Sequence, residues 1–468
     1  MATHDTVIAG SHVVLPDTGE LSDANIVIDD GLISGITTDL PPADVRIDGR
    51  GLVSVPGPID PHVHYGVYSP IDKAARTESR AAAIGGITTM MRMLRLPGPF
   101  DESLPEQLDA MSANHHVDYA IHASVFTPEQ VRTMEFCSEK CDVRSFKIYM
   151  NLGGEVGHVY MDMPPGSKEL APSSVHVDDR MVRETVREAA RLGCPVLVHA
   201  EDYEMCGCGI KTARQKGLDG LSAWSESRPP TSEAKAIKTV SGFGREYGCT
   251  IYFVHVGSAE ALGQIRAERA LGTRIYVETC PHYLTLSHEG RGGYLAKVMP
   301  PIRTGRDRDS VWKSISDGSI DTIGTDHVAN QLSLKLGGED VWGALAGFPG
   351  VGTSVPIMLH EGVNSGRITI GEFARLTSQN AASIFGLRGK GRIAVGCDAD
   401  IAMLDLKREK RVTSEMFGGF SDYSVYEGMT LRGWPVRTIV RGQVVSDEFE
   451  MVSKPGYGRM AGRPGPSD

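Results

Sequence analysis

The 468-residue sequence predicts an α/β chain: a TIM-like (β/α)8 barrel with a small β-sandwich built from both chain ends. Three observations carry this expectation. Apolar runs of strand length alternate with helix-period segments over roughly 300 residues, the pattern of parallel strands joined by crossover helices. There are about eight such runs, the number a closed barrel needs. The two flanks differ from this middle: both are short β-rich runs broken by glycine-containing turns.

Taken in order, residues 6–54 read as strands TVIAGSHVVLP, ANIVIDDGLISGI and DVRIDGRGLVSVPG, separated by DTG, DDG and DGRG turns. Near the other end, GRIAVGCDADIAMLDL and PVRTIVRGQVVSD have the same texture. Residues 1–55 and 386–450 are therefore expected to form one β-sandwich domain, and 56–385 the barrel. The barrel strands begin at VPGPID and continue through ITTMMRML (87–94), YAIHASVF (119–126), SFKIYM (145–150), PVLVHA (195–200), TIYFVHV (250–256), RIYVET (274–279) and DTIGTD (321–326). The spacing predicts helices over 178–193 and 231–248. The tail, 451–468, is rich in Gly, Pro and Arg and reads as extended or disordered.

Composition narrows the class of partner. A net charge of −11 argues against nucleic acid and anionic membranes. No run approaches the ~18 apolar residues of a membrane helix, and no signal peptide is visible at the N-terminus. Eight cysteines lie without framework spacing, which suits reduced thiols and a cytoplasmic location. Cys206-Gly-Cys208 and Cys137-x3-Cys141 have no answering pair that would complete a metal site.

Chemistry-bearing residues sit at or near the strand ends. His62 and His64 close the first run, Lys147 lies in SFKIYM, His199 closes PVLVHA, His255 falls near the end of TIYFVHV, and Asp326 closes DTIGTD. In a barrel these C-terminal ends converge on one face. His62 and His64 are two apart, so strand periodicity aims both at the same side. Imidazole and carboxylate suit Zn²⁺, with Mn²⁺ also possible chemically. Four histidines and one aspartate exceed one open zinc site and suffice for two metals if something bridges them. Lys147 can do so once CO₂ has converted its amine to a carbamate.

The motifs DPHVH, FKIYM, VLVHAED, VHVGSAE, ETCPHYL, GTDH and NAASIFGL…KGRIAVGCDADIAMLDL resemble those of the cyclic amidohydrolases, among them dihydropyrimidinase, hydantoinase, allantoinase and dihydroorotase. The resemblance spans residues 5 to 450. It implies a binuclear metal barrel. His62, His64 and Asp326 would hold one divalent ion, His199 and His255 the other, and carbamylated Lys147 would bridge them. It further implies a small cyclic amide as substrate, such as a dihydropyrimidine or hydantoin, with Asp326 moving the proton, and a homotetramer or homodimer. Allantoinase is the alternative, followed by dihydroorotase or a cyclic imide hydrolase with an anionic substrate. His282, with Tyr283, Leu284 and Thr285, would lie over the ring, and His327 would support a ligand or the fold.

The sequence departs from the family in three places. Leu152 stands where hydantoinases carry a tyrosine, five residues after the bridging lysine; Tyr149 is out of register for that role. His64 is followed by Tyr65 and Gly66, not by the arginine of dihydroorotases. The run MRMLRLPGP brings Arg92 and Arg95 to a strand end, where either could bind an anionic substrate group or pair with acids on the barrel rim. The long loop 153–177 reads as a lid, with His158 or Tyr160 as a replacement for the missing phenol.

Overall fold

In the computed structural model, which describes residues 3–290 and 292–462, the apolar runs of the middle segment become parallel strands buried on both faces. They are Ile59–His64, Thr89–Leu94, Asp118–Ser124, Phe146–Tyr149, Val196–His199, Ile251–Phe253 and Ile275–Thr279, paired in chain order. Registers such as Met90 opposite Tyr119 and Phe253 opposite Val277 show strands consecutive in the barrel pairing in parallel.

The eighth position is split. Thr322–Ile323 pairs with the seventh strand, and His327–Val328 pairs with the first. The ring therefore closes through residues 322–328. The break falls at Asp326, whose φ of 50° places a non-glycine residue in the left-handed region. This is the (β/α)8 barrel expected from the alternation of runs.

The crossover helices follow local rules. Asp179–Arg191 buries Met181, Val182, Thr185, Val186 and Ala189, one stripe at helical spacing. The Asp178 carboxylate caps its start by accepting from Met181 N at 2.8 Å. Pro230–Tyr247 opens on proline and stops at Gly248, whose φ of 67° few other residues would accept. The first lies within the expected 178–193, and the second begins one residue before the expected 231–248.

The chain ends share one nine-stranded sheet. The N-terminal strands meet the C-terminal ones where Val53–Pro56 pairs antiparallel with Ile401–Leu404. Ile8, Val13, Ile26, Ile401, Met403 and Ile439 form its own apolar core. The expected strand in GRIAVGCDAD is corrected: residues 391–400 run as turns, and the strand begins at Ile401.

Lys390 joins this sheet to the barrel, with its ammonium against Asp118, Asp398 and Asp400. Residues 451–462 lie against the barrel: Tyr119 N donates to the Arg459 carbonyl at 3.0 Å, and Gly458 N to that of His115 at 3.0 Å. The rest of the tail, 463–468, falls outside the described residues, as do residues 1–2. Among the described residues no helix is long and apolar enough to cross a membrane. All eight cysteines are free thiols.

Candidate metal centre and catalytic cavity

The first and eighth strand positions create the first half of the site. His62 and His64 project from one strand face, and their Nε2 atoms lie 3.1 Å apart. The kink at Asp326 carries its carboxylate between them: Oδ1 is 3.2 Å from His62 Nε2 and 3.1 Å from His64 Nε2. Asp60, two residues before His62, holds the two strand ends together. It accepts from His62 N at 3.2 Å, Thr325 N at 3.0 Å and Thr325 Oγ1 at 2.6 Å.

The fifth and sixth strands supply the second half. The rings of His199 and His255 are 4.5 Å apart, and His255 lies 5.3 Å from His62. His255, like Asp326, takes a left-handed φ, here 44°. Such backbone costs of order 1–3 kcal/mol where the surroundings enforce it, and it clusters at functional sites.

Carboxylates fix which nitrogen two of the rings, His62 and His199, present. Glu278 Oε1 holds His62 Nδ1 at 2.7 Å, leaving Nε2 to face Asp326. Glu201 Oε2 holds His199 Nε2 at 2.7 Å, leaving Nδ1 for the site. Arg228 clamps Glu201 with two bonds, of 3.0 and 2.6 Å. Burial alone would raise the Glu201 pKa, but Arg228 and His199 hold it at about 2. Such partners orient a ligand and set its tautomer.

Burial also keeps the imidazoles neutral, with lone pairs available. His62, His64 and His255 are pushed well below the ordinary histidine range, by burial first and then by Lys147, Arg95 and His199 respectively. His199 falls to about 4, by burial against the pull of Glu201. Asp326 rises to about 7 through burial, opposed by Lys147 and Arg95.

Lys147 completes the set. It is fully buried, and its Nζ has no hydrogen-bond partner. Burial lowers its pKa to about 7, although Glu278 and Asp326 pull the other way. His255 Nδ1 is likewise buried and unpartnered. Unsatisfied buried donors of this kind are rare and call for a bound group. Four neutral imidazoles, a carboxyl group and an amine whose charge burial disfavours fit divalent cations joined by a lysine carbamate. His62, His64 and Asp326 alone place their ligand atoms within 4.8 Å of one another.

A cavity of about 290 Å³ opens over these groups. His64, His199, His255 and Asp326 form its polar floor; Arg95, Tyr149, Leu152, His158 and Tyr160 stand on its walls. His158–Met161 pairs with Ala171–Ser174 as a hairpin in the expected lid segment. Its ring contact between Tyr160 and Tyr68, at 5.6 Å, covers one side.

Several expected substrate contacts lie elsewhere. Arg92 is corrected to a structural residue: fully buried, it pairs with Asp162 at 2.8 Å and donates to Tyr65 O and Gln107 Oε1. Tyr283, Leu284 and Thr285 are corrected likewise. Tyr283 donates to Pro300 O, Leu284 O accepts from Trp312 Nε1, and the Thr285 hydroxyl bonds Pro281 O. The His282 ring packs on Tyr283 and Phe348, outside the cavity lining. His327 bonds Glu78 at 3.0 Å and accepts from Gly350 N, so it supports the barrel wall.

Asp60, Glu201 and Glu278 were missed from sequence. A signal existed: each is an acid on an otherwise apolar strand or at its end, and two lie two residues from a ligand histidine.

The chain belongs to the amidohydrolase family, whose sequence profile matches residues 53–445. Over 97% of both chains it is 32% identical to an allantoinase of Rubrobacter xylanophilus, and over 98% of both chains 29% identical to an L-hydantoinase of Paenarthrobacter aurescens. Among solved structures it resembles the L-hydantoinase (dihydropyrimidinase) of Arthrobacter aurescens. There the TM-score is 0.88 at 28% identity, covering 98% of this chain and all of the other. The dihydropyrimidinase of Brevibacillus agri gives 0.87 at 28% identity, with 98% of each chain covered.

Proposed function

We propose that this chain is a metal-dependent hydrolase that opens the amide C–N bond of a small cyclic amide. One observation carries the metal assignment: a buried, unpartnered lysine amine among four neutral histidines and Asp326. Full-length likeness to hydantoinases and allantoinases supports the substrate class. His62, His64 and Asp326 would hold one divalent ion and His199 with His255 the other, with Lys147 bridging as its carbamate. Zn²⁺ suits the donor set, and Mn²⁺ is the alternative. When bound, such a pair supplies hydroxide near neutral pH and polarises a carbonyl oxygen.

The chain's own residues then handle the proton. Asp326 faces the space between the two histidine pairs, where water attacks the ring carbonyl carbon. Its carboxylate takes a proton from that water and delivers it to the ring nitrogen as the C–N bond breaks. The product is a ring-opened acid, and water is the only other reactant. Glu278 and Glu201 keep His62 and His199 in the tautomers this geometry needs.

The leading ring is a dihydropyrimidine or hydantoin. Allantoin is the second, favoured by the 32% identity to an allantoinase. We further propose a cytoplasmic homo-oligomer, a tetramer or dimer, in keeping with the free thiols. The test is metal analysis after reconstitution with Zn²⁺ or Mn²⁺ and bicarbonate, paired with a ring-opening screen over dihydrouracil, hydantoin and allantoin and their carboxylated analogues. About two ions per chain with turnover is the expected outcome. A reconstituted protein that binds no metal ends this reading.

A further inference from the structure

We infer that Arg95 anchors a carboxylate on the substrate, so that the ring opened here is an anionic cyclic amide; this rests on the cyclic-amide reading above. Among the described residues lining the cavity, Arg95 is the one arginine or lysine. Among the described residues no carboxylate lies within ion-pair distance of its guanidinium, whose contacts are the Tyr149 hydroxyl and His64 Nδ1. Asp162, beside it, is already occupied by Arg92 Nη2 at 2.8 Å and by the main-chain N–H of Arg95 at 2.8 Å. Holding a shielded guanidinium without a counter-charge is unfavourable. A ligand that brings the counter-charge removes that cost.

The group is also preorganised. Arg95 Nε donates to the Tyr149 hydroxyl at 3.3 Å, and the guanidinium lies 5.1 Å from the centre of that ring. Fixing the planar fork before the ligand arrives lowers the entropy lost on binding.

Position separates this role from stabilisation of the reacting carbonyl. Arg95 Nη2 is 3.2 Å from His64 Nδ1, whereas His64 Nε2 faces Asp326 Oδ1 at 3.1 Å. The imidazole thus stands between the guanidinium and the centre of attack. Arg95 reaches a substituent of the ring, not the scissile amide. Leu152 shapes the same wall with an apolar side chain, leaving this edge of the cavity to be read by charge.

The test compares hydantoin-5-acetate with 5-isobutylhydantoin, near-isosteres that differ in charge, on the metal-loaded protein. Wild type is expected to favour the carboxylated ring by at least about tenfold in kcat/KM. Arg95→Met should collapse that ratio by about thirtyfold or more, through KM for the carboxylated ring, and Arg95→Lys should recover part of it. The ratio is the readout because any loss transmitted through His64 lowers both rings alike. A wild-type ratio near one, or an Arg95→Met variant that lowers both rings equally, overturns the inference while the cyclic-amide reading stands. If wild type opens neither the rings of this pair nor any ring of the wider screen, the cyclic-amide reading fails first and this inference falls with it.

Discussion

Two buried lysines, each close to carboxylates, have opposite fates in this protein. At the seam between barrel and sheet, Lys390 sits against Asp118, Asp398 and Asp400, with Asp398 at 2.8 Å and Asp400 at 2.7 Å. Burial works against its charge, but Asp400, Asp118 and Asp398 outweigh it and hold the ammonium far above its ordinary range. In the barrel, fully buried, Lys147 has no partner on Nζ, and burial drops it to about 7. Three carboxylates that could themselves ligate a cation thus already surround one, the Lys390 ammonium, with Arg441 also paired to Asp118. The other cluster presents an amine free to react. The lesson is that ligand-type residues in proximity do not define a metal site; the charge already stationed among them decides.

The largest expected effect comes from breaking the reactive lysine. Lys147→Gln should lower kcat/KM by at least about 10³-fold and strip metal from the chain, because no carbamate can form. Metal analysis beside steady-state kinetics would show it; full occupancy with near-normal turnover would refute the bridging role. Asp326→Asn comes next. With His62 and His64 intact, metal should be retained while turnover falls by about 10²- to 10³-fold, and a loss much smaller than that would remove Asp326 as the proton carrier.

Lys390→Met tests the other cluster. It leaves buried carboxylates without their cation and should cost about 3–5 kcal/mol in urea unfolding, with metal content unchanged in the folded protein. Metal-dependent stabilisation of this cluster in the wild type, where Lys390 already holds Asp118, Asp398 and Asp400, would contradict the contrast drawn above.

The smallest effect concerns pH. His116 donates to or accepts from Ser453 Oγ at 3.1 Å, and its pKa is pushed down to about 4 by burial and by Arg76 and Arg80. The fold therefore prefers neutral His116, whereas the unfolded chain takes up a proton near pH 6.5. Its stabilising contribution is complete above that value and fades as pH falls towards 4. Melting curves of wild type and His116→Asn should converge over that interval; parallel curves would exclude the linkage.

Much of the centre was legible in the primary sequence. His62, His64, His199, His255, Asp326 and Lys147 could be found because each is a polar residue in or ending an apolar run, and barrel topology converges such ends. The charge of Lys147 could not be read that way, since it depends on Glu278, more than a hundred residues downstream, and on complete burial. The two arginines show the same divide at close range. Arg92 and Arg95 occupy one strand end with similar local sequence, yet Asp162 from the lid segment pairs with Arg92 and leaves Arg95 facing the cavity. The backbone motif CPHYL misled for a related reason: its side chains turned to partners at Pro300 and Pro281, and Leu284 O to Trp312, contacts with no periodic signal.

The sequence by itself therefore determined the barrel, the paired chain ends and the metal-ligand-type side chains that the strand ends gather on one face. Strand periodicity and residue chemistry are local and survive without knowledge of contacts. Only the tertiary structure decided which nitrogen His62 and His199 present, which arginine faces the cavity, and which lysine keeps its charge. Those choices are set by burial and by counter-charges that distant segments bring into range, and electrostatic energies change steeply over the few ångströms that packing controls.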